Sequence, residues 1–136
     1  MTTFRSKSKY HARKITRDGV TYDSLKEYRR FCDLSLLQRA GAITDLQRQV
    51  PFELIPAQYE EIPTGEVYQR GERRGQPKMK RVCVEQSVSY VADFVYYKDG
   101  ERIVEDVKGY KKGTAYAVFT IKRKLMRLKG IKIREV

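Results

Sequence analysis

The chain has no tryptophan, one histidine and two cysteines among its 136 residues. Cys32, Cys83 and His11 cannot build a four-ligand zinc site from Cys and His alone. Two cysteines make no disulfide framework, which fits a reducing, cytoplasmic setting, and both read as packing residues. No stretch approaches ~18 uninterrupted apolar residues, so no membrane span is expected. Residues 1–17 carry positive charge but no apolar segment, so they do not read as a secretory signal. There is no P-loop and no dinucleotide-binding fingerprint. His11 stands beside Tyr10 with no acid nearby, which leaves a histidine-based acid–base mechanism without its second group.

What the chain has in excess is positive charge. Twenty-nine Lys and Arg face 17 Asp and Glu, a net charge of +12. The excess comes in three blocks. Residues 1–17 hold six cations and no acid, residues 70–81 hold six with Glu72, and residues 108–134 hold ten with no acid. Such blocks suit a polyanion, because each phosphate contact releases condensed counterions. Nucleic acid is the expected partner, and an anionic membrane fits poorly without an exposed apolar helix face rich in Trp or Phe. With 40% hydrophobic residues the chain can bury one core. A single domain over residues 1–136 is expected, with 1–17 as a basic arm.

The elements follow from periodicity and punctuation. Asp18-Gly19 is a turn signal, and Val20-Thr21-Tyr22 reads as extended. Ser24 and Glu27 form a capping-box pattern that opens a helix closed by Gly41, with Leu25, Tyr28, Phe31 and Leu36 at helical spacing. A strand is expected from Leu46 to Ile55. Residues 56–80 are polar, basic and rich in turn formers, and read as a loop or protruding hairpin whose returning strand starts at Met79. Ser89–Tyr97 and Arg102–Lys108 read as a strand pair. Thr114 is expected to cap a helix over Ala115–Lys129 with Val118, Ile121, Leu125 and Leu128 facing inward, and Ile131–Val136 is a last strand. The order is α-β-β-β-α-β, an α/β chain with a mixed central sheet flanked by helices.

The strand pair carries the chemistry. With Asp99-Gly100 as a two-residue loop, paired positions sum to 199, so Lys98 faces Glu101 and Asp93 faces Asp106. Opposed residues share a face, and Lys108, two positions beyond Asp106, joins it. Two opposed carboxylates destabilise a strand pair unless one takes a proton or a cation sits between them. Lys108 supplies one compensating charge, and carboxylate oxygens suit Mg²⁺ or Mn²⁺. Strand aspartates commonly just face solvent, but Tyr90-Val91-Ala92, Phe94-Val95-Tyr96 and Ile103-Val104 surround these two with apolar residues. Glu105 alternates to the opposite face and reads as structural.

Asp93 followed by Asp106-Val107-Lys108 on the next strand resembles the PD-(D/E)xK nuclease superfamily, although Ala92 replaces the proline of the motif. The wider chain resembles a small phage-encoded family within it, through Asp23-Ser24-x-x-Glu27, Gln49-x-Pro51-Phe52-x-Leu54, Ala92-Asp93-Phe94 and Glu105-Asp106-Val107-Lys108-Gly109. The resemblance implies a restriction-endonuclease-like αβββαβ core and a divalent-metal-dependent endodeoxyribonuclease. It implies that Asp93, Asp106 and Glu27 bind Mg²⁺ or Mn²⁺, and that Lys108 handles the attacking water. Glu27 can equally serve only as the helix cap, and Gln49 as a plain strand-edge amide. By analogy the substrate would be branched DNA such as a Holliday junction, cut by a homodimer during phage recombination in the host cytoplasm. Lys111, Lys112, Thr114, Tyr116, Lys122 and Lys124 would meet phosphates at the second helix, with Arg73 and Arg74 in the 56–80 segment. Tyr110 is a further candidate for stacking. The rivals are a non-catalytic nucleic-acid-binding protein and a nuclease for flaps, ends or packaging intermediates.

Overall fold

The computed structural model describes residues 13–109 and 111–136. Tyr10, His11, most of the basic arm and Tyr110 lie outside the described residues. The chain divides into two compact units, one ending at Phe52 and resuming at Val91, the other spanning Glu53–Tyr90.

In the first unit, β1 (Ile15–Arg17) pairs antiparallel with β2 (Val20–Tyr22). The turn between them uses left-handed backbone at Asp18 and Gly19, residues that tolerate positive φ. Helix α1 (Leu25–Arg39) follows, then β3 (Thr44–Ile55), β6 (Val88–Lys98), β7 (Glu101–Asp106), α2 (Thr114–Leu128) and β8 (Ile133–Glu135). The sheet order is β3-β6-β7-β8; β6 and β7 are antiparallel, β7 and β8 parallel. This is an α/β fold with a mixed sheet and two helices. No helix among the described residues is long and apolar enough to cross a membrane.

The turn between β6 and β7 sets the register. Asp99 and Gly100 both have positive φ, 52° and 78°, as a two-residue type I′ turn requires. Lys98 pairs with Glu101 and Phe94 with Glu105, the register expected from the sequence.

The helices bury different faces from those expected. In α1 the inner face runs through Glu27, Phe31 and Leu34, while Leu25 and Leu36 are exposed. Leu34 packs with Ile43, Phe94 and Tyr96. The cause is polar burial: Arg30 donates from Nε and Nη2 to Glu105 at 2.8 and 2.9 Å, and Tyr96 Oη donates to the same carboxylate at 2.6 Å. Glu105 is fully buried in this network. Burial and that carboxylate push the Tyr96 hydroxyl up to about 12.

In α2 the buried residues are Phe119 and Met126, seven apart. Three of the four residues expected inside are instead exposed, Val118 at 47%, Ile121 at 60% and Leu128 at 85%, while Leu125 is half-buried. At ~100° per residue the centres of the two stripes lie about 130° apart around the helix. The helix begins one residue earlier than expected, capped by Gly113 with no side-chain cap bond, so Thr114 is its first residue and not its cap.

In the second unit, β4 (Gln58–Val67) and β5 (Pro77–Glu85) form an antiparallel ribbon.

Candidate active site

A cavity of about 350 Å³ opens where the middle of β6 and the end of β7 meet the start of α1, lined by Asp23, Ser24, Glu27, Asp93, Asp106, Val107, Lys108 and Gly109. The structure thus brings Asp93, Asp106, Lys108 and Glu27 to one place. Continuing the β6–β7 register by one step opposes Asp93 to Asp106.

Asp93 Oδ2 accepts from the backbone N–H of Val107 at 2.7 Å, and Oδ1 accepts from Gln49 Nε2 at 3.3 Å. Burial pushes its carboxyl up to about 7, with the charges of Asp106 and Glu27 adding to the rise and the two hydrogen bonds opposing it. Asp106 is buried and its Oδ2 is ion-paired with Lys108 Nζ. That ammonium also sits 3.4 Å from the centre of the Phe119 ring, a cation–π contact that holds it from the α2 side. The strand end is held by β8: Val136 N–H donates to the Asp106 carbonyl at 3.0 Å, and Lys108 N–H donates to the Val136 carbonyl at 2.9 Å.

Glu27 is buried and its two oxygens are already engaged. Oε2 accepts from Asp23 N–H at 3.0 Å and Oε1 accepts from Gln49 Nε2 at 3.0 Å. Ser24 Oγ accepts from Glu27 N–H at 3.1 Å, the first half of a capping box. The return bond goes to Asp23 rather than to the cap residue Ser24, one position further out than the sequence pattern implies. Glu27 therefore caps the helix and faces the cavity at once.

Gln49 ties the site together, and its backbone explains how. Its φ is 51° within β3, a left-handed residue of the kind that marks a bulge. Strict alternation would send Arg48 and Gln49 to opposite faces. Here Gln49 reaches Glu27 and Asp93, while Arg48 Nη2 lies 3.5 Å from Glu27 Oε1 and its guanidinium 4.0 Å from the centre of the Tyr22 ring. Sequence reading missed Arg48, because nothing in the residue order marks a bulge at a glutamine. It also missed Lys26, whose Nζ donates to the carbonyls of Lys108 and Val136.

The other candidates lie outside the cavity lining. Lys111, Lys112 and Thr114 are exposed ahead of and at the start of α2. Tyr116 Oη donates to Glu135 Oε1 at 3.2 Å, Lys122 is half-buried and Lys124 exposed. Arg73 and Arg74 are exposed in the second unit. Among the described residues, no three His, Cys, Asp or Glu side chains form a group that could hold a metal ion.

Fold and cavity together define an α/β protein with an acidic, lysine-flanked pocket at the end of a β-hairpin. Residues 7–136 match the family described as "Protein of unknown function (DUF1064)", and the chain belongs to that family. No curated protein and no solved structure matches it.

Proposed function

We propose that this protein is a divalent-metal-dependent endodeoxyribonuclease of the PD-(D/E)xK kind, with Asp93, Asp106 and Lys108 as its central residues. The observation that carries the reading is that these three side chains line one cavity, with Asp93 pushed up to about 7 by burial and by its acidic neighbours. The order of elements, α1-β3-β6-β7-α2-β8 around a mixed sheet, agrees with a restriction-endonuclease-like core.

The donor chemistry fits Mg²⁺ or Mn²⁺. Two crowded carboxylates present hard oxygens and a charge excess that a cation relieves, and Mg²⁺ commonly uses one or two carboxylates plus waters and substrate phosphates. Three clustered acids are therefore not required. Asp93 and Asp106 would hold the ion, which when bound supplies Lewis acidity toward water and phosphate. Glu27, whose oxygens are taken by Asp23 and Gln49, acts as a positioning residue more readily than as a ligand. Lys108, pinned between Asp106 and Phe119, presents an ammonium that donates hydrogen bonds to a phosphate oxygen or to the attacking water. Gln49 holds the Asp93 carboxylate in place.

Branched DNA such as a Holliday junction, opposed cuts by a homodimer, and a role in phage recombination in the host cytoplasm complete the proposal. The exposed Val118, Ile121 and Leu128 of α2 support self-association, since an apolar stripe of this kind on a monomer calls for a cover.

The test is cleavage of supercoiled plasmid and a synthetic four-way junction with Mg²⁺ or with EDTA. Metal-dependent cutting is expected, abolished in Asp93→Ala with DNA binding kept, and reduced ~10²–10³-fold in Lys108→Ala. Binding without cutting under any divalent ion would make the chain a nucleic-acid-binding protein with structural carboxylates. Competition among junction, flap and linear duplex ranks the substrates.

A further inference from the structure

The second unit offers a surface that the hydrolytic site does not use. Beyond β4 and β5 the ribbon closes in an ordered turn. Tyr68 N–H donates to the Gln76 carbonyl at 3.0 Å, Gly75 N–H to the Tyr68 carbonyl at 2.9 Å and Arg74 N–H to the Gly71 carbonyl at 3.1 Å. Gly71 and Gly75 both have φ of 82°, backbone that side-chain-bearing residues seldom adopt. The tip is therefore a built structure.

Charge is divided along the ribbon. Its proximal part carries Glu60, Glu61 and Glu85 against Arg81, which is cross-strand partner to Glu61. Its distal part carries Arg70, Arg73, Arg74, Lys78 and Lys80 against Glu66 and Glu72. Among the described residues none of these five cations is ion-paired, and all but the half-buried Lys78 are exposed. A solubilising surface would have no reason to sort its signs by distance from the base. Tyr68 is flanked by Arg73 and Lys78, at 5.8 and 5.7 Å from its ring centre.

We propose that the distal half of the β4–β5 ribbon is an arm that grips double-stranded DNA, laying its unpaired cations on phosphates beside a groove. This deepens the nuclease reading and rests on it. A two-stranded ribbon fits the ~12 Å wide major groove of B-DNA. The deep, narrow major groove of A-form RNA does not admit it. Single strands are held chiefly by bases stacking on open aromatic faces, and the tip's half-buried Tyr68 is already attended by two cations. The acidic proximal half keeps the rest of the ribbon off the phosphates.

The experiment measures binding of the full-length protein to a 30-base-pair DNA duplex and to a 30-nucleotide single strand, by fluorescence anisotropy in EDTA across a KCl series. For Arg73→Ala/Arg74→Ala/Lys78→Ala the slope of log K against log salt on duplex is expected to fall by about 2–3, at ~0.9 per lost phosphate contact. The single-strand slope should change by less than one, and the all-lysine variant Arg73→Lys/Arg74→Lys should keep the wild-type slope. Circular dichroism checks that the triple variant is folded. An unchanged duplex slope, or an equal loss on both substrates, overturns the arm. Plasmid cutting with Mg²⁺ is read alongside: its absence in the wild-type protein counts against the nuclease reading, whereas cutting with an unchanged slope counts against the arm alone.

Discussion

The backbone N–H of Val107 donates to Asp93 Oδ2 at 2.7 Å, so the carboxylate of one strand is anchored between the two functional positions of the next, Asp106 and Lys108. The Asp99-Gly100 turn makes that bond possible by fixing which residues face each other across the hairpin. The bond partly offsets the cost of bringing Asp93 into a buried, acidic pocket, but burial still wins and its carboxyl titrates near 7.

That balance has a consequence for stability. The Asp93 carboxyl binds its proton more tightly in the folded chain, about 7, than at its ordinary value of 3.8. Between those pH values the folded state holds more protons than the unfolded one, so this group's contribution falls as pH rises from ~4 to ~7 and is flat above. Asp93→Asn cannot ionise and escapes the loss. In EDTA its melting temperature should rise relative to the wild type between pH 5 and pH 8, by up to ~10 °C for the ~2–3 kcal/mol lost over that interval at ~1.4 kcal/mol per pH unit. Differential scanning fluorimetry at the two pH values checks this, and an equal shift at both would show that Asp93 titrates normally.

The bulge at Gln49 makes a second test. An L-residue in the left-handed region costs roughly 1 kcal/mol that glycine avoids. Both Gln49→Ala and Gln49→Gly remove the amide that bridges Glu27 and Asp93. Urea denaturation should therefore find Gln49→Gly more stable than Gln49→Ala by ~1 kcal/mol, the reverse of the usual order within a strand. Cutting by the two should be reduced alike, because the missing group is the same. A glycine variant less stable than the alanine one would mean that the backbone at this position is ordinary strand.

The hairpin and its acids were legible because Asp-Gly is a strong local signal and a period of two leaves no freedom once the turn is set. The helix faces were not. In α1 the inward residues include Glu27 and Arg30, which a hydrophobic pattern assigns to solvent, and only partners distant in sequence compensate their burial, Glu105 for Arg30 and Gln49 for Glu27. In α2 the chain offers two apolar stripes, and periodicity alone cannot choose between Phe119 with Met126 and Val118 with Ile121 and Leu128. The Gln49 bulge was hidden for a different reason: Asp45 and Gln49 both take positive φ within β3 without a glycine to announce it. That also concealed Arg48, which strict alternation would turn away from its neighbour's site.

The outer stripe of α2 gives the homodimer a signature of its own. The exposed Val118, Ile121 and Leu128, with the half-buried Leu125, are spaced 3-4-3, the seam of two packed helices, and Lys122, Lys124 and Lys129 flank them with no acid on the helix. If two copies meet through this face, the flanking lysines repel across the interface, and screening by salt relieves that repulsion while leaving apolar burial intact. Self-association should then strengthen from 50 to 500 mM KCl, opposite in sign to DNA binding, which weakens. Sedimentation velocity at several protein concentrations reads the first, anisotropy the second. Ile121→Ser/Leu128→Ser should leave the chain folded, since both side chains are mostly exposed, and should make it monomeric at both salt concentrations. A dimer that weakens with salt, or that survives this double substitution, would place the interface elsewhere on the protein.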